Sequence, residues 1–334
     1  MAQATNFFPS QDVSVWYQKE TTVGDQPDDA GLKKLQVTGF TIPEASVPVE
    51  YASARTGQYV TTETQGHHAE GTKLWTFDTT LRGTPASVLL ATEAVFEDSS
   101  SEATLLNTYA FPHATYSNGA SSASTFEIRF INGGADATLH NMVCQGCVGT
   151  GFTLSEAIGS EGGELVCTIS WATAYYPTYS SDDIASPAYD TGTPKNIRSL
   201  AAASCLIDAN NEMVIESWDL NVSRTIERVH YADTTSGTFE PFGYAMTGGF
   251  EVTGSITAIR NDDVHDIIAN FRNSTSVDIN IAESSNFAIA LDKCYLNEPS
   301  IDNGGAVLKE IIPFTVVGAD DISTDVKMVG ITIA

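Results

Sequence analysis

Basic residues are scarce in this sequence. Only 16 of its 334 residues are Lys or Arg, against 42 Asp and Glu, so the formal net charge is −26 at pH 7. Binding to nucleic-acid phosphates or anionic lipid surfaces requires clustered basic side chains. The charge balance therefore argues against a nucleic-acid-binding groove and against docking on a membrane surface. It suits a protein from salty surroundings, where salt screens the repulsion between acidic groups.

Cysteine is also rare, and long apolar runs are missing. The five cysteines, at positions 144, 147, 167, 205 and 294, are an odd and scattered set, unlike the dense framework of a disulfide-stapled secreted domain. No apolar stretch approaches the roughly 18 residues that span a bilayer. The first 20 residues lack the basic and apolar regions of a secretory signal. We therefore expect synthesis in the cytoplasm and no membrane anchor.

Familiar catalytic motifs are absent as well. The sequence contains no GxSxG, Walker or Rossmann fingerprint and no HExxH array. The acidic clusters SSDD, GADD and NDD could hold Ca²⁺ loosely, but none follows the ordered DxDxDG loop, so solvated turns are the better interpretation. We predict a protein that is not an enzyme and that has no catalytic residues, no cofactor and no metal ligands.

The stretch HNMVCQGCVG, residues 140–149, tests that prediction most directly. Cys144 and Cys147 resemble half of a zinc site or a redox pair, but a zinc site needs two further ligands and no second CxxC follows. In a strand these two cysteines point to opposite faces, unless Gly146 forms a bulge. Cys167 lies on the apolar face of ELVCTISWATA. We interpret all three as small buried side chains of strands.

What the sequence does have is strong alternation between apolar and polar residues with a period of two. This period is typical of strands with one face buried and one face in water. About ten such segments follow one another, separated by turn sequences such as NGGAD, GSEGG and DANNE. The pattern predicts a mainly β protein of antiparallel strands, with inward residues Phe126, Ile128 and Phe130; Val214, Trp218, Leu220 and Val222; Phe250, Val252, Ile256 and Ala258; and Val277, Ile279 and Ile281.

Two segments have a helical pattern instead. TPASVLLATEAVFE begins with Thr84 as an N-cap and Pro85 at the first helical position. NDDVHDIIANFRN begins with Asn261 as an N-cap, followed by two acidic residues that the helix dipole favours. We predict a short helix in each segment.

The two helical segments belong to two similar units. GTKLWTFDTTLRGTPASVLLATEAVF and GGFEVTGSITAIRNDDVHDIIANFRN both consist of glycine, alternating strand, short break and helix, and they start about 177 residues apart. A second alignment, of GGELVCTISWAT with GGFEVTGSITAI, needs a different register. We predict a duplicated β-sandwich module with a packed helix: an N-terminal arm over 1–70, a first module over 71–176, a proline-rich linker over 177–198 and a second module over 199–334.

The order of these segments resembles the tail tube proteins of tailed phages of the siphovirus type. In the second half, NEMVIESWDLNVSRTIERV, a long loop, GGFEVTGSITAIRNDD, a helix, SVDINIA and DVKMVGITIA follow the order of that family. In the first half, GTPASVLLATEAVF is similar to the family's helix, FEIRFINGGADATLHNMVCQGCVGTGFTLS to its long hairpin and GGELVCTISWATAYYPTY to the next strand, as in the family's longer form. The resemblance covers residues 70–334 and depends on element order, since the family has no invariant catalytic signature.

The resemblance implies a structural virion protein that binds to itself. Each sandwich or barrel module would contribute a sheet to a continuous inner barrel, with its helix packed outside. Rings of three duplicated chains, or of six chains without duplication, would stack into a tail tube, meet other tail proteins at the tube ends and let genome DNA pass without specific binding. The strong acidity is unusual for the family and suggests a haloarchaeal tailed virus as the source.

The resemblance also implies a long loop that reaches the next ring, here residues 230–248, HYADTTSGTFEPFGYAMTG. Its aromatic residues Tyr231, Phe239, Phe242 and Tyr244 are the candidates for the contact between rings, because aromatic residues in a polar loop are typical of an interface. The alternative, that they fold back on their own domain, stays open.

Three other classes compete with this interpretation. A capsid decoration or baseplate protein would also be rich in β structure, but it would form a discrete particle that does not stack. A carbohydrate-binding adhesin would require a secretion signal and a surface platform of aromatic residues. An enzyme on a β scaffold would require a convergent site, which the sequence does not indicate.

Overall fold

The computed structural model describes residues 13–21, 23–24, 31–43, 49–51, 66–68, 73–96, 102–106, 123–129, 141–159, 163–180, 188–189, 197–198, 205–207, 211–232, 239–260, 271–284, 287–318 and 327–333. The protein is mainly β with antiparallel sheets, as the alternation predicts. Its elements are β1 (Ser14–Lys19), β2 (Lys33–Lys34), β3 (Val37–Phe40), β4 (Val49–Tyr51), β5 (Gly66–His68), β6 (Trp75–Arg82), α1 (Pro85–Phe96), β7 (Glu102–Leu106), β8 (Ser124–Arg129), β9 (Asn141–Ala157), β10 (Leu165–Thr173), β11 (Thr178–Ser180), β12 (Ala188–Tyr189), β13 (Cys205–Ile207), β14 (Asn211–Met213), β15 (Ile215–Ser223), β16 (Ile226–Ala232), β17 (Phe239–Met246), β18 (Glu251–Ile259), β19 (Val277–Ser284), β20 (Phe287–Leu296), β21 (Ser300–Asp302), β22 (Lys309–Val316) and β23 (Lys327–Ile333).

Seven strands form what we call the main sheet, in the order β3–β6–β10–β9–β15–β18–β22. Every neighbouring pair in it is antiparallel. The short strand β21 and the last three residues of β20 pair with the outer side of β22. The sheet therefore joins strands from both halves of the chain, through the pairing of β9 with β15.

One face of the main sheet is buried, because the alternating apolar residues all point to it. Its core includes the fully buried rings of Phe152, Trp171 and Phe314. The predicted inward faces of four segments are confirmed for Phe126, Ile128, Trp218, Leu220, Val222, Val252, Ile256, Ala258, Val277, Ile279 and Ile281, which are all buried. Phe250 is half-buried, and Phe130 lies outside the described residues.

The prediction for Val214 is wrong, since this side chain is 53% exposed. The pairing of β15 with β18 shifts register between Ile215 and Ser217. A β-bulge of this kind inserts one residue and breaks the period of two. Ile215 consequently takes the inward place that alternation assigns to Val214.

A second layer covers the buried face. It has the strand order β13–β19–β20–β23–β7 and joins the main sheet where β20 passes from β23 to β22. The helix α1 packs against β9 and β10 on one side and against β7 and β23 on the other. Eight of its twelve residues are buried, so it is part of the core rather than a surface helix.

A small sheet with the order β12–β2–β1–β8–β9–β11 forms the third part. The long strand β9 belongs to both sheets: its first residues pair with β8 and β11, and its last residues pair with β10 and β15. From the segment predicted to be an arm, β1 lies inside the small sheet and β3 at one edge of the main sheet.

The first predicted helix is confirmed in type and in both N-terminal features. Pro85 is the first residue of α1, and the hydroxyl Oγ1 of Thr84 accepts a 3.2 Å hydrogen bond from the backbone N–H of Ser87. Of the second predicted helix, residues 261–270 lie outside the described residues, and 271–273 are helical. In the part of the chain described here, no helix is long and apolar enough to cross a membrane.

Candidate functional site

The outward face of the main sheet carries mostly short polar side chains on its five central strands, β6, β10, β9, β15 and β18, and we call this face the polar face. Strands β6, β10, β15 and β18 and the last six residues of β9 alternate buried residues with exposed or half-buried ones over most of their length. The outward residues are Thr76, Asp78, Thr80, Arg82, Thr153, Ser155, Ala157, Val166, Thr168, Ser170, Glu216, Ser217, Asp219, Asn221, Ser223, Glu251, Thr253, Ser255, Thr257 and Ile259. Hydroxyl groups dominate this set, so the face is wettable without being strongly charged.

The register of the sheet aligns these side chains in rows across the strands. One row crosses six strands, because Thr80 pairs with Thr168, Thr168 with Thr153, Thr153 with Asn221, Asn221 with Thr253, and Thr253 with Thr315. Hydrogen bonds join members of the row, at 3.3 Å between the hydroxyl oxygens of Thr80 and Thr168 and at 3.1 Å from Thr153 Oγ1 to Asn221 Oδ1. Cross-strand pairs of this kind fix the register of a sheet.

The charge on the polar face is acidic. On the five strands that define it, four carboxylates (Asp78, Glu216, Asp219 and Glu251) stand against one guanidinium, that of Arg82, and Glu216 is paired with Lys309 of β22. Asp219 also accepts a hydrogen bond from the hydroxyl of Ser255 on the next strand. A polyanion such as DNA gains no attraction from such a surface, because there are too few cations to replace its counterions.

The part of the main sheet that the structure describes is open at both edges. Within the described ranges, β3 pairs only with β6, and β21 pairs only with β22. An exposed isoleucine marks each edge: Ile42, just after β3, is 48% exposed, and Ile301, within β21, is 55% exposed. Unpaired edge strands with apolar side chains are templates for pairing with another chain.

The two strand pairs β3–β6 and β15–β18 share one irregularity. Val37 pairs with Leu81, the register then shifts, and Gly39 and Phe40 pair with Thr80 and Thr79. In the second pair, Ile215 pairs with Ala258, the register shifts in the same way, and Ser217 and Trp218 pair with Thr257 and Ile256. Each bulge lies opposite the last residues of a strand that leads into a predicted helix.

The segment predicted to reach the next ring forms a two-stranded antiparallel hairpin, β16–β17. It leaves the main sheet after β15, at the end where β18 begins. Tyr244 is buried and packs with Val148, Ala172 and Ile226 of its own chain, so this residue folds back. Tyr231, Phe239 and Phe242 lie on the hairpin backbone, and their side chains are outside the described set.

A bulge in β9 holds the base of this hairpin. Gly146 has φ +59°, which favours glycine, and its N–H donates a 2.7 Å hydrogen bond to the buried carboxylate of Glu20. The hydroxyl of Tyr244 donates to the carbonyl of Gly146 and accepts a 3.0 Å hydrogen bond from the N–H of Ala174. Three distant parts of the chain are thus joined at one glycine.

The cysteine pair lies beside the same bulge and is buried, as the interpretation of core strands predicts. Cys144 and Cys147 are both fully buried, because the bulge turns both side chains inward. Burial raises the pKa of the Cys144 thiol to about 12, and burial, with smaller effects of Cys144 and Glu20, raises the pKa of Cys147 well above its ordinary value. Neither thiol is a thiolate near neutral pH, so neither is poised as a nucleophile.

Metal-ligand clusters are not found among the residues that the structure describes. No group of three or more His, Cys, Asp or Glu side chains is placed there to hold a metal ion. The acidic clusters GADD and NDD lie largely in segments that are not described, as do most residues of SSDD. The prediction of no metal site stays a prediction for those segments.

Two features of the structure were missed by reasoning from the sequence. The rows of hydroxyl side chains depend on how strands far apart in the chain pair, which no single segment reveals. The role of Glu20 depends on a bulge more than 100 residues away. For the rows, the available signal was the abundance of Thr and Ser at the polar positions of the alternating segments.

The sequence matches no protein-family model, and comparison with curated proteins finds no match either. The geometry of the main sheet, with its polar face and its two open edges, is therefore the principal indication of function.

Proposed function

We propose that this chain is a structural virion protein that assembles with itself into rings, and that the rings stack into the tube of a siphovirus-type tail. The observation that carries this proposal is the main sheet, which has one buried face, one face of short polar side chains and two open edges. Within the part of the chain that the structure describes, such a sheet is incomplete, since its edge strands present unpaired backbone groups. Copies joined edge to edge would complete it.

The two halves of the main sheet are, in this proposal, copies of one tail-tube-type module. Strands β3–β6–β10–β9 would correspond to β15–β18–β22–β21. The shared register shift in β3–β6 and β15–β18 supports this, because a bulge at the same position relative to the next helix is a specific feature. So does a matched hydrogen bond: Gly83 N–H donates to the carbonyl of Leu165 at 2.6 Å, and Arg260 N–H to that of Leu308 at 3.0 Å.

The polar face would line the lumen of the tube. A conduit for DNA has to be wetted and must not retain its cargo. Short hydroxyl side chains hydrogen-bond to water, and the excess of carboxylates over cations offers DNA no counterion-releasing contact. The buried face and the helix α1 would then lie toward the outside of the ring.

The hairpin β16–β17 would make the contact between rings. It leaves one end of the main sheet, so it lies where a stacked ring would follow. Tyr244 fixes its base to β9, which leaves Tyr231, Phe239 and Phe242 as the candidate contact residues. A duplicated chain would give three chains and six modules per ring, against six chains without duplication, and other tail proteins would bind at the tube ends.

Electron microscopy of the purified protein at low and at molar salt tests this proposal. We expect hollow tubes of uniform width, favoured at high salt, because the Debye length falls to about 3 Å at 1 M and screens repulsion between acidic copies. End-on views should contain three chains per ring. Discrete particles of one size at both salt concentrations would contradict the proposal and favour a capsid decoration or baseplate protein.

A further inference from the structure

We propose that two copies of this chain join by pairing the edge strand β3 of one copy with β21 of the next, so that Ile42 lies directly opposite Ile301. This inference rests on the proposed function, since it specifies the contact that closes the ring. A junction of the same kind already exists inside the chain, where β9 pairs with β15.

The internal junction joins the last strand of the first half to the first strand of the second half. Leu154 of β9 lies directly opposite Leu220 of β15, and both side chains are fully buried. On the polar side of the same strands, Ser155 lies opposite Asp219. An apolar pair facing the core and a hydroxyl–carboxylate pair facing water therefore define this junction.

The register places Ile42 where Leu220 lies in the second half. Val37 and Ile215 are the residues before the same register shift, opposite Leu81 and Ala258 respectively. Ile42 follows Val37 by as many residues as Leu220 follows Ile215. Leu220 is covered by β9, whereas Ile42 is 48% exposed.

The register likewise places Ile301 where Leu154 lies in the first half. Leu81 pairs with Cys167, and Cys167 pairs with Leu154. In the second half, Ala258 pairs with Glu310, and Glu310 pairs with Ile301. Leu154 is covered by β15, whereas Ile301 is 55% exposed.

The occupant of each edge is consequently the opposite edge of a second copy. The two exposed isoleucines occupy the two positions that meet as a buried leucine pair within the chain. The next pair of the same register sets Thr41 opposite Asp302, which repeats the hydroxyl–carboxylate pair of Ser155 and Asp219 with its partners exchanged. Pairing would end at Pro43, which has no N–H to donate.

This contact is heterologous, because each copy uses a different surface at its two edges. A heterologous contact either closes into a ring or continues as a filament. Each copy keeps one free edge of each kind until the ring is closed. The junction therefore sets the number of chains by geometry.

Disulfide cross-linking of assembled protein tests the register. In the double variant Ile42→Cys with Ile301→Cys, opposed Cβ atoms would lie about 4.5–5.5 Å apart, close to what a disulfide needs. We expect oxidation to convert the chain into covalent dimers and closed trimers, seen on a denaturing gel. Each single variant should stay monomeric on the gel, because like edges do not meet. The five native cysteines are buried and do not compete.

A matched control uses Ile42→Cys with Val307→Cys, since Val307 is also exposed and lies in the loop after β21 but outside the register. Cross-linking in this control as strong as in the Ile301 pair would overturn the register. A second test uses the single variants Ile42→Asp and Ile301→Asp, which replace side chains that are exposed in the single chain. Circular dichroism should show that both variants still fold, and neither should form rings. Rings that form in both variants would also overturn the proposal.

Microscopy of the same samples separates this inference from the proposed function. Tubes in which the cysteines introduced at positions 42 and 301 do not cross-link would overturn the junction but would not contradict the proposed tube. Cross-linked closed trimers that never stack would support the junction and contradict the tube. Samples that contain no tubes and no cross-links would contradict both the junction and the proposed function.

Discussion

The guanidinium of Arg224 donates a hydrogen bond to the carbonyl oxygen of Ala94 in the last turn of α1, at 3.2 Å. The same side chain donates through Nε to the carbonyl oxygen of Gly149 at 2.9 Å. The last turn of α1 has no basic residue of its own, so a cation from the second half of the chain serves the negative end of this helix. Helix, β9 and the end of β15 are thereby joined at one buried side chain.

Replacing Arg224 by Ala should lower the free energy of unfolding by about 2–4 kcal/mol, because two buried carbonyl groups lose a charged donor. Urea unfolding followed by tryptophan fluorescence measures this change. Arg198→Ala is the matched control, since Arg198 forms an exposed ion pair with Glu164 at 2.9 Å and should cost about 1 kcal/mol or less. Equal effects of the two substitutions would show that the helix end does not depend on Arg224.

Stability should also fall as the pH rises above the ordinary pKa of cysteine. Burial raises the pKa of Cys144, Cys167, Cys205 and Cys294 from 9.0 to about 12. Between these values the unfolded chain releases thiol protons that the folded chain retains, so the free energy of unfolding decreases with pH. The stabilisation is present below about pH 9 and is lost as the pH approaches about 12. Urea unfolding at a series of pH values measures this slope.

The variant Cys167→Ala should have a shallower slope than the native chain over the same pH range, whatever its stability at neutral pH. A slope that is unchanged in this variant would mean that Cys167 titrates normally in the folded protein.

The double variant Cys144→Ala with Cys147→Ala should still assemble, since both side chains are core residues. Loss of folding of the native protein on adding a chelator would instead revive the zinc interpretation.

Shortening the hairpin should separate ring formation from stacking. Replacing residues 233–238 by Asn-Gly keeps β16 and β17 and supplies a tight two-residue turn. We expect a soluble folded protein that forms single rings and no tubes, because the tip of the hairpin is proposed to reach the next ring. Sedimentation and electron microscopy distinguish the two products. Tubes of normal length from this variant would show that the hairpin tip does not join rings.

The local elements of this fold could be predicted from the sequence, and their assembly could not. Alternation gave the inward faces of segments such as Val252, Ile256 and Ala258, and capping residues gave the start of α1 at Pro85. The prediction for Val214 is wrong because the bulge after Ile215 shifts the alternation by one residue. A bulge depends on how the strand pairs with its partner, so alternation within one segment does not reveal it. The pairing of β9 with β15 is equally invisible in either segment alone.

The candidate site divides in the same way. Polar positions at every second residue predict a wet face, but the row from Thr80 to Thr315 exists only because six strands align in one register. The resemblance predicts the hairpin loop, with two alternatives for its aromatic residues: they contact the next ring, or they fold back on their own domain. The structure decides between them for one residue of the loop. Tyr244 folds back because its hydroxyl has two backbone partners at the bulge of Gly146, while a contact between rings stays a prediction for Tyr231, Phe239 and Phe242.

The polar face should hold DNA when a cation is added at its centre. Thr253 lies in the middle of this face, so Thr253→Lys would place a cation on every module of the second kind around the lumen. Tubes assembled from this variant should retain labelled DNA when they are sedimented. The amount of retained DNA should fall steeply as salt is added, since a contact between lysine and a DNA phosphate releases counterions. Native tubes should retain none. Tyr179→Lys is the control. Tyr179 is exposed on the small sheet, so this substitution adds the same charge away from the polar face. Equal retention by both variants would mean that DNA binds elsewhere than on the polar face, and retention by native tubes would contradict a lumen that lets DNA pass freely.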